Sequence, residues 1–174
     1  SSSAASDVYK RQDEMKLLKE EMPEIYLMCL TSLRPGEVAS RKSDDVVDGM
    51  VSVDDQPEIA WRPKTMSSYR RVPLPPEFSE SDQLWTMDMQ KLKRWQRPLN
   101  KLIPDKRATA HSGRHTFVTL SRQAGCDSRV IEAITGHWSV KDGSQAMQDY
   151  GEFSDEVLKR EAQKVWDYVA SKIG

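Results

Sequence analysis

The stretch Ala110-His111-Ser112-Gly113-Arg114-His115-Thr116-Phe117-Val118-Thr119-Leu120 sets two of the chain's three histidines on either side of an arginine, where an apolar, helix-compatible pattern begins. The first turn of a helix carries free N–H groups that favour an anion. The stretch therefore predicts a phosphate-handling site at the head of a core helix. Outward from it the same periodicity recurs. Downstream, Gly125-Cys126-Asp127 reads as a helix stop with Asp127 or Ser128 as a new N-cap, and Val130, Ile131 and Ile134 lie on a short buried helix that ends at Thr135-Gly136-His137. A polar loop through Asp142-Gly143-Ser144 leads to Tyr150. A final amphipathic helix from about Ser154 to Ile173 then carries Val157, Leu158, Val165, Trp166, Val169 and Ile173 on one stripe.

Upstream, Leu84, Met87, Leu92, Trp95, Leu99 and Ile103 give a helical pattern, and Val46 to Leu74 changes to the period of strands. Asp48-Gly49 is a turn pair, and Met50–Val53, Ile59–Trp61 and Arg71–Leu74 are the expected strands of a small antiparallel sheet. Lys64 to Tyr69 would form the tip of its last hairpin, and Pro73 would keep the third strand short or at an edge. Further back, Asp13 to Met22 reads as a helix bearing Met15, Leu18 and Met22, and Pro23 opens an apolar helix with Ile25, Leu27, Met28 and Leu30. Thr31-Ser32-Leu33-Arg34-Pro35-Gly36-Glu37 interrupts it before helix resumes through Val38 and Ala39, which places Arg34 at a junction with Glu37 as its partner. The fold class expected is α+β, mainly α-helical with a small three-stranded antiparallel sheet. Residues 1–12 are expected as a disordered tail and 13–174 as one domain.

The chain has 174 residues, 37% hydrophobic and 30% charged, with a formal net charge of -1. That balance argues against a purely electrostatic nucleic-acid binder, but the charges are segregated. Arg62, Lys64, Arg70 and Arg71 form one acid-free basic run, and Lys91, Lys93, Arg94, Arg97, Lys101, Lys106 and Arg107 form a second that contains only Asp105. One face of a neutral protein can thus be basic. The residues taken as contacts to such a partner are Arg62, Thr65, Arg70, Arg71, Lys91 and Arg94. No apolar run reaches membrane length and no signal core opens the chain, so a cytoplasmic protein without a membrane partner is expected. Cys29 and Cys126 lack metal-ligand spacing and are expected to be reduced and buried.

Gly-rich phosphate loops, paired-cysteine zinc patterns, His-Glu-x-x-His and Gly-x-Ser-x-Gly are all absent from the sequence. What remains is Arg34 and Arg114, the histidines, Lys64 on a loop and a tyrosine. Guanidinium forks match phosphate oxygens and stabilise the added charge of five-coordinate phosphorus. Lysine or histidine can move protons, and tyrosine can attack phosphorus. The set suffices for phosphoryl transfer with neither metal nor other cofactor.

Four blocks in order resemble the catalytic domain of the tyrosine recombinases, the phage-integrase family. Thr31 to Glu37 is similar to the box of the first catalytic arginine. Lys64-Thr65 with Arg71-Val72-Pro73-Leu74 looks like the catalytic-lysine hairpin. Thr109 to Phe117 is close to the His-x-x-Arg-His-Thr box, and Gly136-His137 precedes Tyr150 in the nucleophile's position. The likeness spans about Asp13 to Ile173. It implies an integrase-like DNA breaking-rejoining fold and a site-specific recombinase of double-stranded DNA, with Arg34, Lys64, His111, Arg114, His137 and Tyr150 catalytic. Glu37 would orient the Arg34 region, and His115 would be a buried structural residue.

The resemblance further implies a 3′-phosphotyrosine intermediate, a homotetramer on DNA that is monomeric alone, and a terminal helix able to dock in cis or in trans. Its setting would be DNA integration by a mobile element in a prokaryotic or phage-infected cell. Full-length relatives carry an N-terminal DNA-binding domain, which this sequence does not include. Some positions depart from the family pattern. Gly113 replaces a common leucine, and its lack of an apolar anchor loosens the expected placement of Arg114. Ser32 replaces a common glycine, Arg41 and Ser43 replace common apolar residues, and the interval from His137 to Tyr150 is long. Those departures motivate the alternative of a catalytically inactive DNA-binding or assembly module. A zinc hydrolase using His111, His115 and His137 is a further alternative, opposed by the arginine between its ligands.

Overall fold

The structure is a computed structural model and describes residues 12–104, 108–136 and 153–173. Helix α1 (Gln12–Glu21) leads into α2 (Pro23–Thr31), which Pro23 opens and a left-handed Ser32 closes. Ile25 to Thr31 are all buried, because α2 runs through the centre and is apolar on every side. A short α3 (Pro35–Ala39) follows. Then come a hairpin of β1 (Val46–Val47) and β2 (Met50–Val53), a long connection, and β3 (Arg70–Pro73). The sheet has three antiparallel strands in the order β1-β2-β3, with Val51 opposite both Val46 and Val72. Short helices α4 (Pro76–Ser79), α5 (Lys91–Arg94) and α6 (Gln96–Leu102) lead to α7 (Ser112–Gln123), α8 (Ser128–Thr135) and α9 (Asp155–Ile173). Among the described residues no helix is long and apolar enough to cross a membrane.

The coarse class is therefore as expected, mainly helical with a small antiparallel sheet. The strand assignment differs. Asp48 and Gly49 both have positive φ (54° and 73°), the geometry of a two-residue hairpin, so the sheet gains β1 ahead of that turn. Ile59–Trp61 is not a strand. Pro57–Ile59 forms a 3-10 turn and Ala60 is left-handed, leaving only an isolated bridge between Gln56 and Trp61. Proline at the first position of that turn and the short span to Trp61 favour local closure over ladder pairing. The helix expected from Leu84 begins only at Lys91, because Met87 is left-handed (φ 50°) and its N–H donates to Arg41 O at 2.8 Å. Pro73 lies on an edge strand, where its missing N–H costs little.

Helix α9 packs on α7, α8, β3, α1 and α2. Its stripe of Leu158, Val165 and Val169 is buried, and Trp166 Nε1 donates to Leu30 O at 2.9 Å. Buried Glu161 lies on the same helix and accepts from the Asp127 backbone at 2.8 Å, which ties α9 to the start of α8. Asp127 caps α8 through a bond from the Arg129 N–H at 2.9 Å.

Three departures noted in the sequence acquire physical reasons. An ideal Cβ on Gly113 would lie 2.8 Å from Met28 Cβ and 3.1 Å from Met28 C, so glycine is what lets α7 approach α2. It is a point of close helix contact, and no apolar anchor is missing beside Arg114. Ser32 occupies a left-handed position (φ 68°), which glycine adopts at less cost. Arg41 is fully buried, yet it donates to Ser52 O at 2.7 Å, Asp54 O at 2.9 Å, Asp54 Oδ1 at 3.0 Å and Ser40 Oγ at 3.2 Å. Its guanidinium also lies 4.8 Å from the centroid of Trp61. Cys29 is buried as expected, whereas Cys126 is only half-buried.

Candidate functional site

Glu37 is the hub of the site. Its carboxylate, buried to 2% exposure, accepts from the Arg34 backbone N–H at 2.8 Å and from Arg34 Nη1 at 3.1 Å. The same two oxygens receive a fork from Arg70, Nη1 at 2.8 Å and Nη2 at 3.0 Å. Burial alone would raise the Glu37 pKa. Arg70 first and Arg34 second overcome that and hold it below the ordinary carboxylate value. Arg34 is thereby aimed from the start of α3 toward the hairpin connection, where Nη1 also reaches Ser68 Oγ at 3.3 Å.

Arg114, in the first turn of α7, approaches from the other side. Nη1 donates to Ser32 O at 3.1 Å across the contact that Gly113 permits. Nη2 is buried and has no hydrogen-bond partner among the described residues, as is also true of Ser32 Oγ. A buried guanidinium N–H without an acceptor is costly, and a water or an anion would complete it. Burial first, then the Arg34 and Arg70 charges, pushes the Arg114 pKa down to about 9, which leaves it a cation at neutral pH.

His111 precedes α7 at the protein surface. Partial shielding, followed by the charges of Lys64, Arg34 and Arg114, lowers its pKa, so the ring is neutral near pH 7 and can accept a proton. A ring among three cations is a poor place for a metal ion, and among the described residues no group of His, Cys, Asp and Glu gathers as metal ligands. Lys64 is exposed on the β2 to β3 connection, just before a 3-10 turn at Met66–Ser68. A cleft of about 320 Å³ is lined by Arg34, Lys64, Ser68, His111, Trp61 and Leu92 among others.

The structure thus brings Arg34, Lys64, His111 and Arg114 together around Glu37, from elements far apart in sequence. His137 and Tyr150 lie outside the described residues. Three assignments are corrected. Arg70 is not a surface contact. Its side chain is 5% exposed, and besides Glu37 it donates to Ile134 O at 2.7 Å and Ser68 O at 2.8 Å. Lys91 is buried too, bonded to Leu84 O at 2.8 Å and paired with Glu24 at 3.3 Å. His115, expected to be buried, is exposed, because one turn beyond His111 it falls on the outer face of α7 while Thr116 and Phe117 face the core.

Among the other expected contacts, Arg62 is exposed and lines the cleft, and Thr65 is exposed with its hydroxyl near those of Ser67 and Ser68. Arg71 and Arg94 are at the surface, paired with Asp155 and Asp88. Lys106 and Arg107 lie outside the described residues. Sequence reasoning missed Ser68, Trp61 and Arg41. The only hint was that Trp61 lies three residues before Lys64. No protein-family model, curated protein or solved structure matches this chain.

Proposed function

We propose that this protein is a DNA strand transferase of the tyrosine-recombinase type, working without metal or ATP. The observation that carries the reading is the buried, unpartnered N–H of Arg114 beside Arg34, with Lys64 close enough for its charge to act on a neutral His111. Three cations, Arg34, Lys64 and Arg114, beside one carboxylate suit a phosphodiester whose charge grows in the transition state. In the proposed step the Tyr150 hydroxyl oxygen bonds to phosphorus and its proton passes to His111. The bond from phosphorus to the 5′-oxygen breaks, and Lys64 supplies that oxygen's proton. The products are a 3′-phosphotyrosine and a free 5′-hydroxyl, and rejoining runs the same steps backward with another strand's hydroxyl. Arg34 and Arg114 hold the non-bridging oxygens, and Glu37 fixes Arg34. His137 is assigned hydrogen bonding to the same phosphate, and the working assembly is a tetramer on duplex DNA.

The test is a randomised pool of nicked suicide duplexes, from which a cleaved strand diffuses away and traps the covalent adduct. The parent chain forms a detergent-resistant protein-DNA adduct, and Tyr150→Phe and Arg114→Ala do not. Adduct formation by Tyr150→Phe refutes the nucleophile. Salt-dependent duplex binding by the parent with no adduct assigns the chain instead to an inactive binding module.

A further inference from the structure

The cleft beside the arginines is larger and less polar than a phosphate needs. Its volume, about 320 Å³, falls in the range of small-molecule sites, roughly 300–1,000 Å³. Its lining carries the cations Arg34, Arg62 and Lys64 and the neutral ring of His111. The same lining carries the apolar side chains of Trp61, Met89 and Leu92. Leu92 is 40% exposed on α5 between lysines, so it contributes apolar surface that the core does not use.

Trp61 is the flat element of that lining, and one face of its ring is covered by Arg41. The Arg41 guanidinium against its ring is itself fixed by Ser52 O, Asp54 and Ser40 Oγ. A ring locked in place loses little freedom when a second flat group stacks on it. A cleft that combines cations with a braced aromatic ring matches a ligand that is anionic at one end and a flat ring at the other. We propose that this cleft is a nucleotide subsite in which Trp61 stacks on the DNA base adjacent to the phosphate held by Arg34 and Arg114. This deepens the strand-transferase reading and rests on it for the identity of the phosphate. It adds that the base is drawn out of the duplex, which would let the enzyme favour sites whose neighbouring step unstacks easily.

The test titrates the full chain, followed by NMR, with inorganic phosphate, deoxyribose 5-phosphate, deoxyadenosine 3′-monophosphate, the thymidine and dihydrothymidine 3′-monophosphates, and phenyl phosphate. The adenine nucleotide binds about tenfold or more tighter than the sugar phosphate, as a base-aromatic stack should. Its H2 and H8 signals move upfield under the indole ring current. The order adenine, thymine, dihydrothymine needs no variant. In Trp61→Leu the ratio of nucleotide to sugar-phosphate affinity falls to near one, and in Trp61→Phe most of it is kept.

Equal affinity for nucleotide and sugar phosphate in the parent overturns the proposal, as does a base increment that survives Trp61→Leu. Phenyl phosphate binding as tightly as the nucleotide assigns the cleft to a tyrosyl ring and also overturns it. The two readings fail separately. A base increment without a covalent adduct in the suicide assay supports the subsite and removes strand transfer, whereas an adduct with no base increment removes the subsite alone.

Discussion

Gly113→Ala is the sharpest test of how the site is built, because two effects of opposite sign compete at one atom. Alanine is favoured over glycine within a helix by about 1 kcal/mol. Against that, the new Cβ would sit 2.8 Å from Met28 Cβ, 3.1 Å from Met28 C and 3.2 Å from Cys29 N. Comfortable carbon contacts are about 3.5–4.0 Å, so α2 and α7 must separate by roughly 1 Å. The obstructing atoms are backbone or the root of a side chain, and no rotamer change removes them.

Overpacking of this kind costs about 1–3 kcal/mol, and contact with three such atoms places it in the upper half of that range. The net expectation is a loss of about 1–2 kcal/mol after the helix gain, or about 3–6 °C in Tm for a chain of this length. Urea unfolding is the assay, read as a lower midpoint at unchanged m. The same separation stretches the 3.1 Å bond from Arg114 to Ser32 O, so phosphate affinity falls further than stability alone accounts for. A variant that is neutral, or more stable by the propensity gain, would refute the close-approach argument.

The remaining predictions concern the residues around that contact. Ser32→Gly relieves a left-handed serine and removes a buried hydroxyl without a partner, and should raise stability by about 0.5–1 kcal/mol; a fall in the thermal midpoint contradicts this. Glu37→Gln leaves the Arg70 charge, 5% exposed, beside a neutral amide, and should cost about 3 kcal/mol at pH 7. The Glu37 pKa is lowered on folding, so its contribution is complete above the ordinary value of 4.5 and fades as pH falls through the lower folded value. Urea midpoints of parent and variant should therefore converge below about pH 4.5, and a gap independent of pH is the contrary outcome. The His111 midpoint, followed by proton NMR, should move up toward its ordinary 6.5 in Lys64→Met and on adding inorganic phosphate. A downward move in either case would show that the Lys64 charge does not act on it.

Local signals carried the parts of the fold that local chemistry decides. Pro23 at a helix start, an N-cap at Asp127 or Ser128 and the apolar spacing of the last helix are all legible, since each depends on neighbours a few residues away; the structure selects Asp127. Ile59–Trp61 was misread because β-branched and aromatic residues suit a strand in composition, while Pro57 and the left-handed Ala60 bend the chain first. Among the candidate site residues, Arg34, Lys64, His111 and Arg114 stand out in the sequence through motifs, and the structure brings these four near one another.

Arg70 and Lys91 were misplaced because a basic run carries no label for which cations turn inward. Only tertiary partners, Glu37 and Ile134 O for one and Leu84 O with Glu24 for the other, decide that. Arg41 was noted as out of pattern, but its carbonyl partners in and just after β2 and its stack on Trp61 are long-range and invisible in one dimension.

The Glu37 and Arg70 pair also constrains how this chain can diverge. Replacing Glu37 leaves Arg70 charged in the interior without a counter-ion, and replacing Arg70 leaves buried Glu37 with Arg34 alone and removes the brace on Ser68 O and Ile134 O. Neither position can therefore drift alone, and the two are expected to change together or not at all across descendants of this gene. The exposed pairs Arg71 with Asp155 and Arg94 with Asp88 can be lost one partner at a time. Selection on this protein should accordingly be read from the buried pair, while the surface pairs record little more than neutral exchange.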